Sequence, residues 1–187
     1  MKYTRLILSL TLVCLLLSTI ACGSSEPTIE TPAGEMNLTA ADLGPEWSLV
    51  GEQGLDEMQD MNQAHIQDAN MRMLGADAIT GFVMSIVFST KTVASAEGEM
   101  KGSTVQGFAE SIQEQVPGAT IGTMEPPDVG DEATMVGGSH PELNLNIYML
   151  AFRKANVIAL FSLVGSADSV TEETVADYAQ KLEAKMK

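Results

Sequence analysis

The sequence predicts an α+β domain: an antiparallel sheet of about five to six strands with two to three helices packed on it. Three observations carry this. "LNLNIYMLA" and "VIALFSLV" are strongly apolar runs, Leu143–Ala151 and Val157–Val164, separated by a short polar stretch, the pattern of a hairpin. "GFVMSIVFS" alternates, with Phe82, Met84, Ile86 and Phe88 pointing one way and Val83, Ser85, Val87 and Ser89 the other, as in a half-buried strand. The C-terminal stretch has helical spacing and opens on Ser169 and Glu172, the spacing of a capping box.

In chain order, "NLTAADLGPEW" opens the domain. Thr39 can cap a short helix with Asp42 three residues on, and Gly44-Pro45 stops it. Trp47 begins a strand, "WSLVGEQ". Leu55, Met58, Asn62, Ile66, Ala69 and Met73 recur every three or four residues, which predicts a helix over 55–74 with Asp56 as N-cap and Gly75 as stop. A helix over 93–116 follows the alternating strand. Its glycines at 98, 102 and 107 each weaken it by about 1 kcal/mol relative to Ala, placing a break near Gly102 and the firm part at Val105–Gln115. Short strands are predicted at 119–124 and 132–139, on either side of the turn-rich "EPPDVGD". Residues 153–156 turn the hairpin, and the last helix runs almost to Lys187, with Lys181, Lys185 and Lys187 near its negative end. Residues 37–187 make one ordinary domain, long enough to bury roughly 70% of its unfolded surface.

The first residues are of another kind. Lys2 and Arg5 precede "LILSLTLVCLLLSTI", an apolar run shorter than the roughly 20 residues that span a bilayer. A basic head, a short apolar core and small residues before a break make a signal peptide over 1–21, with an uncleaved N-terminal anchor as the alternative. Ser18-Thr19-Ile20-Ala21-Cys22 resembles the lipobox of bacterial lipoproteins, with Thr19 where leucine is usual. The resemblance implies that the Cys22 thiol receives a diacylglyceryl group and becomes the first mature residue. Two or more acyl chains hold a protein stably, at about 0.8 kcal/mol per buried methylene. The partner implied is the membrane, and residues 22–36 then read as the lipidated cysteine and a flexible polar tether. Gly23, where an inner-membrane retention signal would carry Asp, leans towards an outer membrane if the source has one. Cys14 leaves with the signal core, so no disulfide and no thiolate metal site is available to the domain.

Loss of 1–21 removes Lys2 and Arg5 but no acid, so the formal charge goes from −15 to −17. Such a surface repels nucleic acid and anionic headgroups. Three phrases, "LTAADLGPEW", "VGDEATMVGG" and "FRKANVIALFSLVG", in that order, resemble extracytoplasmic domains of actinobacterial-type lipoproteins and kinase sensor ectodomains. The resemblance implies a binding or sensing module and not an enzyme. Asn156 stands at its glycine–asparagine turn, and the disulfides of the kinase ectodomains are missing here.

A search for chemistry yields little. The two histidines are His65 and His140, the latter in the Gly- and Pro-rich "GGSHPEL", where a surface turn is expected. No G-x-S-x-G elbow, phosphate-cradling loop or H-E-x-x-H helix is present, so no catalytic residue and no cofactor is assigned. Paired carboxylates of a hydrolase stay open as the weakest reading, since 25 acids always allow a pair. Asp128, Asp131 and Glu132 in "DVGDE" offer oxygens to calcium without EF-hand spacing, and a solvated turn shaped by the glycine is preferred. Met58, Met61 and His65, on one face of the predicted helix, would suit Cu(I), against the competing role of Met as a core filler. That helix and the Phe82, Met84, Ile86 and Phe88 face could instead enclose an apolar ligand. The sequence therefore specifies a lipid-anchored, non-catalytic envelope protein that binds or senses a ligand or partner, with a carrier of an apolar ligand or Cu(I) as the alternative. Mass spectrometry of the mature protein is expected to find an acylated Cys22 at the N-terminus; an unmodified Cys22 or another start refutes the anchor.

Overall fold

The apolar hairpin forms the middle of the sheet. In the computed structural model, which describes residues 26–58, 64–76, 81–102 and 118–187, β6 (Leu145–Lys154) and β7 (Val157–Ser166) pair from Leu145↔Ser166 to Lys154↔Val157. The alternating strand is β3 (Phe82–Thr90), laid antiparallel on β7 from Phe82↔Val164 to Ser89↔Val157. Outward from it lie β2 (Ile66–Gly75) and β1 (Ser48–Gly54), and on the other side β5 (Glu132–His140) and β4 (Thr120–Met124). The sheet has seven strands in the order β1-β2-β3-β7-β6-β5-β4, more than the five to six expected.

The extra strand is β2, and it replaces the expected helix. Leu55–Glu57 form one 3-10 turn, and the chain from Ile66 is extended through Gly75. The 3.6-residue spacing misled because Asn70 and Arg72 break the alternation with polar residues that the fold buries or half-buries. Pairing on both sides, Asn70↔Val87 and Gln53↔Met71, overrides the local preference of Met, Arg, Gln and Leu for helix.

Both faces of the sheet are covered. One carries Leu74, Val83, Val87, Leu150, Phe152, Phe161 and Leu163 against α1 (Ala33–Met36), α2 (Ala40–Leu43) and α4 (Glu172–Lys185). The other carries Phe88, Val136, Ile147, Met149 and Ile158 against Ala96 and Met100 of α3 (Val93–Gly102). The firm part expected at Val105–Gln115 lies outside the described residues. Burial on both faces explains why β6 is apolar nearly throughout. Helix α4 starts two residues later than its sequence signal: Thr171 is the N-cap, accepting from Thr174 N, while the Ser169 hydroxyl bonds to Ser166.

The stretch expected to be tether joins the domain from Ile29 onward. Asn156 brackets Ile29, accepting from its N–H at 2.6 Å and donating to its carbonyl at 3.3 Å, and Asp68 accepts from Ala33 N–H at 2.7 Å. Ala33 and Met36 are fully buried. Asn37, also fully buried, donates to Asn70 O, Asn70 Oδ1 and Ser85 O and accepts from Leu38 N–H and Ser85 Oγ. The Thr39–Asp42 cap is present as expected, and α4 reads it too: Lys185 donates to Asp42 Oδ2 and to Asn37 O, and Lys181 to Asp42 O.

At the opposite side of the hairpin turn, "DVGDE" is a structural corner. The Asp131 carboxylate accepts from Ala155 N–H at 2.7 Å and from Arg153 at 3.1 Å, and its own N–H donates to Arg153 O. Gly130 has φ +65°, and an added Cβ would stand 2.3 Å from Arg153 O, so glycine is required there. Ala155 has φ +50°, a left-handed conformation that costs a side-chain-bearing residue about 1–2 kcal/mol.

Ala155→Gly relieves the left-handed strain and is expected to stabilise the domain by about 0.5–1 kcal/mol, roughly 2 °C in melting temperature, whereas Gly130→Ala costs about 2 kcal/mol or more. Burial raises the Asp42 carboxyl, but hydrogen bonds from Lys185 and Thr39 outweigh it and hold the group below its ordinary 3.8. The unfolded chain therefore takes up this proton first. The contribution is complete above about pH 4 and is lost as the pH falls through the folded value. Asp42→Asn is expected to cost about 1 kcal/mol at pH 7 and to flatten the acid limb of the stability curve measured by urea titration.

Candidate interaction surface on strands β1 to β3

Pairing β2 with β3 brings together residues that the helical reading had kept apart. Met71↔Ile86, Met73↔Met84 and Gly75↔Phe82 are opposite one another, so their side chains share one sheet face, and Met84↔Ser162↔Met149 continue the middle row inward. Met149 is buried under α3, whereas Met71, Met73, Met84 and Ile86 are half-buried and Phe82 is 39% exposed. Glycines open this surface. The Met73 methyl would stand 2.7 Å from a Cβ at Gly51, and Val50 Cγ2 3.0 Å from one at Gly75. The result is an apolar shelf running from Val50 across Gly75 to Phe82, with three thioethers behind it.

The shelf meets the outer strand. On β1, Leu49 and Val50 are 53% and 64% exposed, and the register shifts between Leu49 and Gly51. Next to them Glu52, itself exposed, lies against β2: its Oε1 accepts from Asn70 Nδ2 and Arg72 Nε, each at 2.9 Å. Those bonds, Asn70 first and then Arg72, hold the Glu52 carboxyl below its ordinary 4.5. Arg72 also donates to the carbonyls of Asn37 and Leu38, which ties β1 to the buried amide of the opening segment.

The other sequence candidates are placed apart. Met58 is buried just after the 3-10 turn and His65 is exposed just before β2, neither of them within a helix; Met61 lies outside the described residues, as does Cys22. Phe88 is buried under α3, away from the shelf. His140, expected on a surface turn, ends β5 and is 5% exposed, its ring 3.0 Å from a Cβ built at Gly118. Asp131 and Glu132 flank the nearly buried Arg153, at 3.1 and 3.7 Å, with Glu97 of α3 at 3.9 Å, so these acids serve the corner. Among the described residues no group of three or more His, Cys, Asp or Glu side chains is placed to hold a metal.

A shallow depression of about 310 Å³ lies beside the start of α4, lined by Leu43, Thr171, Glu173, Thr174, Asp177 and Tyr178. Its groups have structural duties. Thr171 and Thr174 cap the helix, Asp177 pairs with Lys181 at 2.7 Å, and Tyr178 meets Trp47 edge to face with ring centroids 6.4 Å apart. Burial raises the Tyr178 phenol above its ordinary 10, as do the Glu46 and Asp177 charges. It offers neither a nucleophile with a base nor an oxyanion donor set. Sequence reasoning named Phe82, Met84 and Ile86 but missed Leu49, Val50, Met71 and Met73. The signal for these was the pair of apolar residues at 49–50, preceding a glycine, in a strand otherwise polar.

No family model matches the sequence, and neither does any curated protein. Among solved structures, the extracellular domain of PknH from Mycobacterium tuberculosis is similar, with a TM-score of 0.57 and 13% identity over 87% of this chain and 98% of that one. A putative uncharacterized protein, the Rv0999 ortholog from Mycobacterium smegmatis, gives a TM-score of 0.40 at 10% identity, covering 76% and 92% of the two chains. The fold is thus one found in an extracellular domain.

Proposed function

We propose that this chain is a lipid-anchored, non-catalytic protein of the cell envelope whose acidic domain binds a ligand or partner outside the cytoplasmic membrane through the β1–β3 face. The observation that carries the reading is the contrast between the two faces of the sheet. One is closed by α1, α2 and α4 over fully buried aromatics; the other leaves Phe82, Met84, Ile86, Met71 and Met73 half-covered at its β1 side. Contiguous exposed apolar surface beside a polar rim marks interaction sites, and methionine suits a surface that must adapt to its occupant. Likeness to an extracellular domain supports the location, and the lipobox around Cys22 supports the anchor. A carrier role for an apolar molecule is the second reading, favoured by the same thioethers. A photo-crosslinking amino acid at Phe82, in the acylated protein in its native cells, is expected to give a discrete adduct. The same group at Lys154, on the hairpin turn, is expected to give none. Equal labelling from both positions, or none from Phe82, overturns the assignment of the face.

A further inference from the structure

We infer that Met73 and Met84 form a modification site, at which a two-electron oxidant such as hydrogen peroxide turns both thioethers into sulfoxides and so makes the β1–β3 face polar. This names a regulation of the binding face proposed above and rests on that reading. From residue 23 onward the chain holds no cysteine, so methionine is the sulfur that such an oxidant meets. Ten of the twelve methionines lie in the described residues, and burial separates them. Met36, Met58, Met100, Met135, Met149 and Met186 are at most 8% exposed. Met71, Met73, Met84 and Met124 are half-buried.

Three of those four share one patch, because of the strand register. Met73 and Met84 are opposite each other on β2 and β3, and Met71 is two residues along on the same face. The outer neighbours of the pair are small: Gly51 is opposite Met73 on β1, and Ser162 is opposite Met84 on β7. A Cβ built at Gly51 would stand 2.7 Å from the Met73 methyl and, among the described residues beyond its chain neighbours, within 4 Å of nothing else. Glycine at that place therefore leaves the thioether uncovered from β1. Met71 packs against the buried cluster under α3, which includes neither Met73 nor Met84. Met124 is the contrast: it packs against the cluster under α1, α2 and α4, and a Cβ at Gly137 would stand 2.5 Å from both its sulfur and the Tyr148 ring. The geometry thus orders the sulfurs, Met73 and Met84 first, then Met71, then Met124, and the six buried ones last.

In the reaction a thioether lone pair attacks one peroxide oxygen. The S–O bond forms and the O–O bond breaks; sulfur loses two electrons, and the transferred oxygen gives its proton to the other, which leaves as water. A polar sulfoxide then stands where a flexible apolar group did, behind the shelf of Val50, Gly75 and Phe82, and an apolar occupant loses its contact there. Both side chains already reach solvent, so the new oxygen is hydrated and the fold stays. The same change at Met135 or Met149 would put an unmet acceptor into a core. Two-electron reduction of the sulfoxide restores the thioether.

The test uses the protein from residue 22 onward with Cys22→Ser, which removes the competing thiol, treated with dilute hydrogen peroxide. Peptide mass spectrometry follows the oxygen gained at each methionine. Met73 and Met84 are expected to oxidise at least about tenfold faster than Met135, Met149 and Met186. The oxidised protein is expected to leave a phenyl hydrophobic-interaction column earlier, with unchanged circular dichroism. Met73→Leu/Met84→Leu keeps the volume and the apolarity but not the oxidisable sulfur, so peroxide is expected to leave its retention unchanged. Oxidation of the buried methionines at the same rate, or an equal loss of retention in the Leu variant, overturns the site. Loss of the circular dichroism on oxidation of Met73 and Met84 overturns it too, since the effect then lies in the fold. In cells, the Phe82 adduct is expected to be lost on peroxide treatment and kept in the Leu variant. An adduct that survives with Met73 and Met84 oxidised rejects the regulation and leaves the binding face standing. No adduct before treatment, with oxidation still confined to this pair, rejects the binding face and leaves the modification site.

Discussion

A primary amide enclosed in an apolar interior is tolerated only when its donors and acceptor are all engaged, because each unmet group costs about 1–3 kcal/mol. Asn37 is such a group, and its position makes it the joint of the domain. It lies between α1 and α2, yet its partners are on β2 and β3. Its backbone carbonyl receives Lys185 from the end of α4 and Arg72 from β2. One residue of the opening segment thus fixes the sheet, the C-terminal helix and, through Arg72 and Glu52, the outer strand β1. The polar groups of β2 are met from two sides: Asn37 donates to Asn70 Oδ1, while Glu52 accepts from the Asn70 amide and from Arg72.

The joint bears on the proposed anchor. A long flexible tether would let the domain tumble freely above a membrane. Here Asn156, Asp68 and Asn37 hold the chain from Ile29 onward, and Thr31 reaches the carbonyl of Lys187. An acyl group at Cys22, as proposed, would leave a short leader before Ile29, and a short leader restricts orientation. The same geometry gives the buried Asn156 its work: it bonds at once to Ile29 and to Thr90 O, joining the leader, the hairpin turn and the end of β3.

Most of the sheet was legible because its strands are written by burial. β3, β6 and β7 alternate or run apolar as packing against one or two layers demands, and no long-range information was needed to see them. β2 was not legible, because the polar residues that disguise it are satisfied by a segment some 35 residues earlier in the chain. The same distance hid the roles of Asp131 and Asn156, whose partners lie across the hairpin and in the leader. The candidate surface was half legible: the Phe82 face follows from alternation, but its continuation through Met71, Met73 and Val50 follows only from the pairing of β2.

The distribution of side chains between the two faces is itself informative. Phe152, Phe161, Tyr148, Tyr178 and Trp47 lie on the face under α1, α2 and α4, where rigid rings fill a fixed volume. Met36, Met135 and Met186 are buried with them; Met58, Met71, Met73, Met84, Met100 and Met149 lie on the other face, with Phe88 and Phe82 as the rings. Unbranched thioethers keep their packing when neighbours shift, and on the β1 side of the sheet Met71, Met73 and Met84 are only half-buried. The buried Asn37, Asn70, Ser85 and Asn156 are committed to joints by named hydrogen bonds. What the fold leaves exposed on this side, Val50 and Phe82 beside half-buried thioethers, is apolar and lies towards the β1 edge of the sheet.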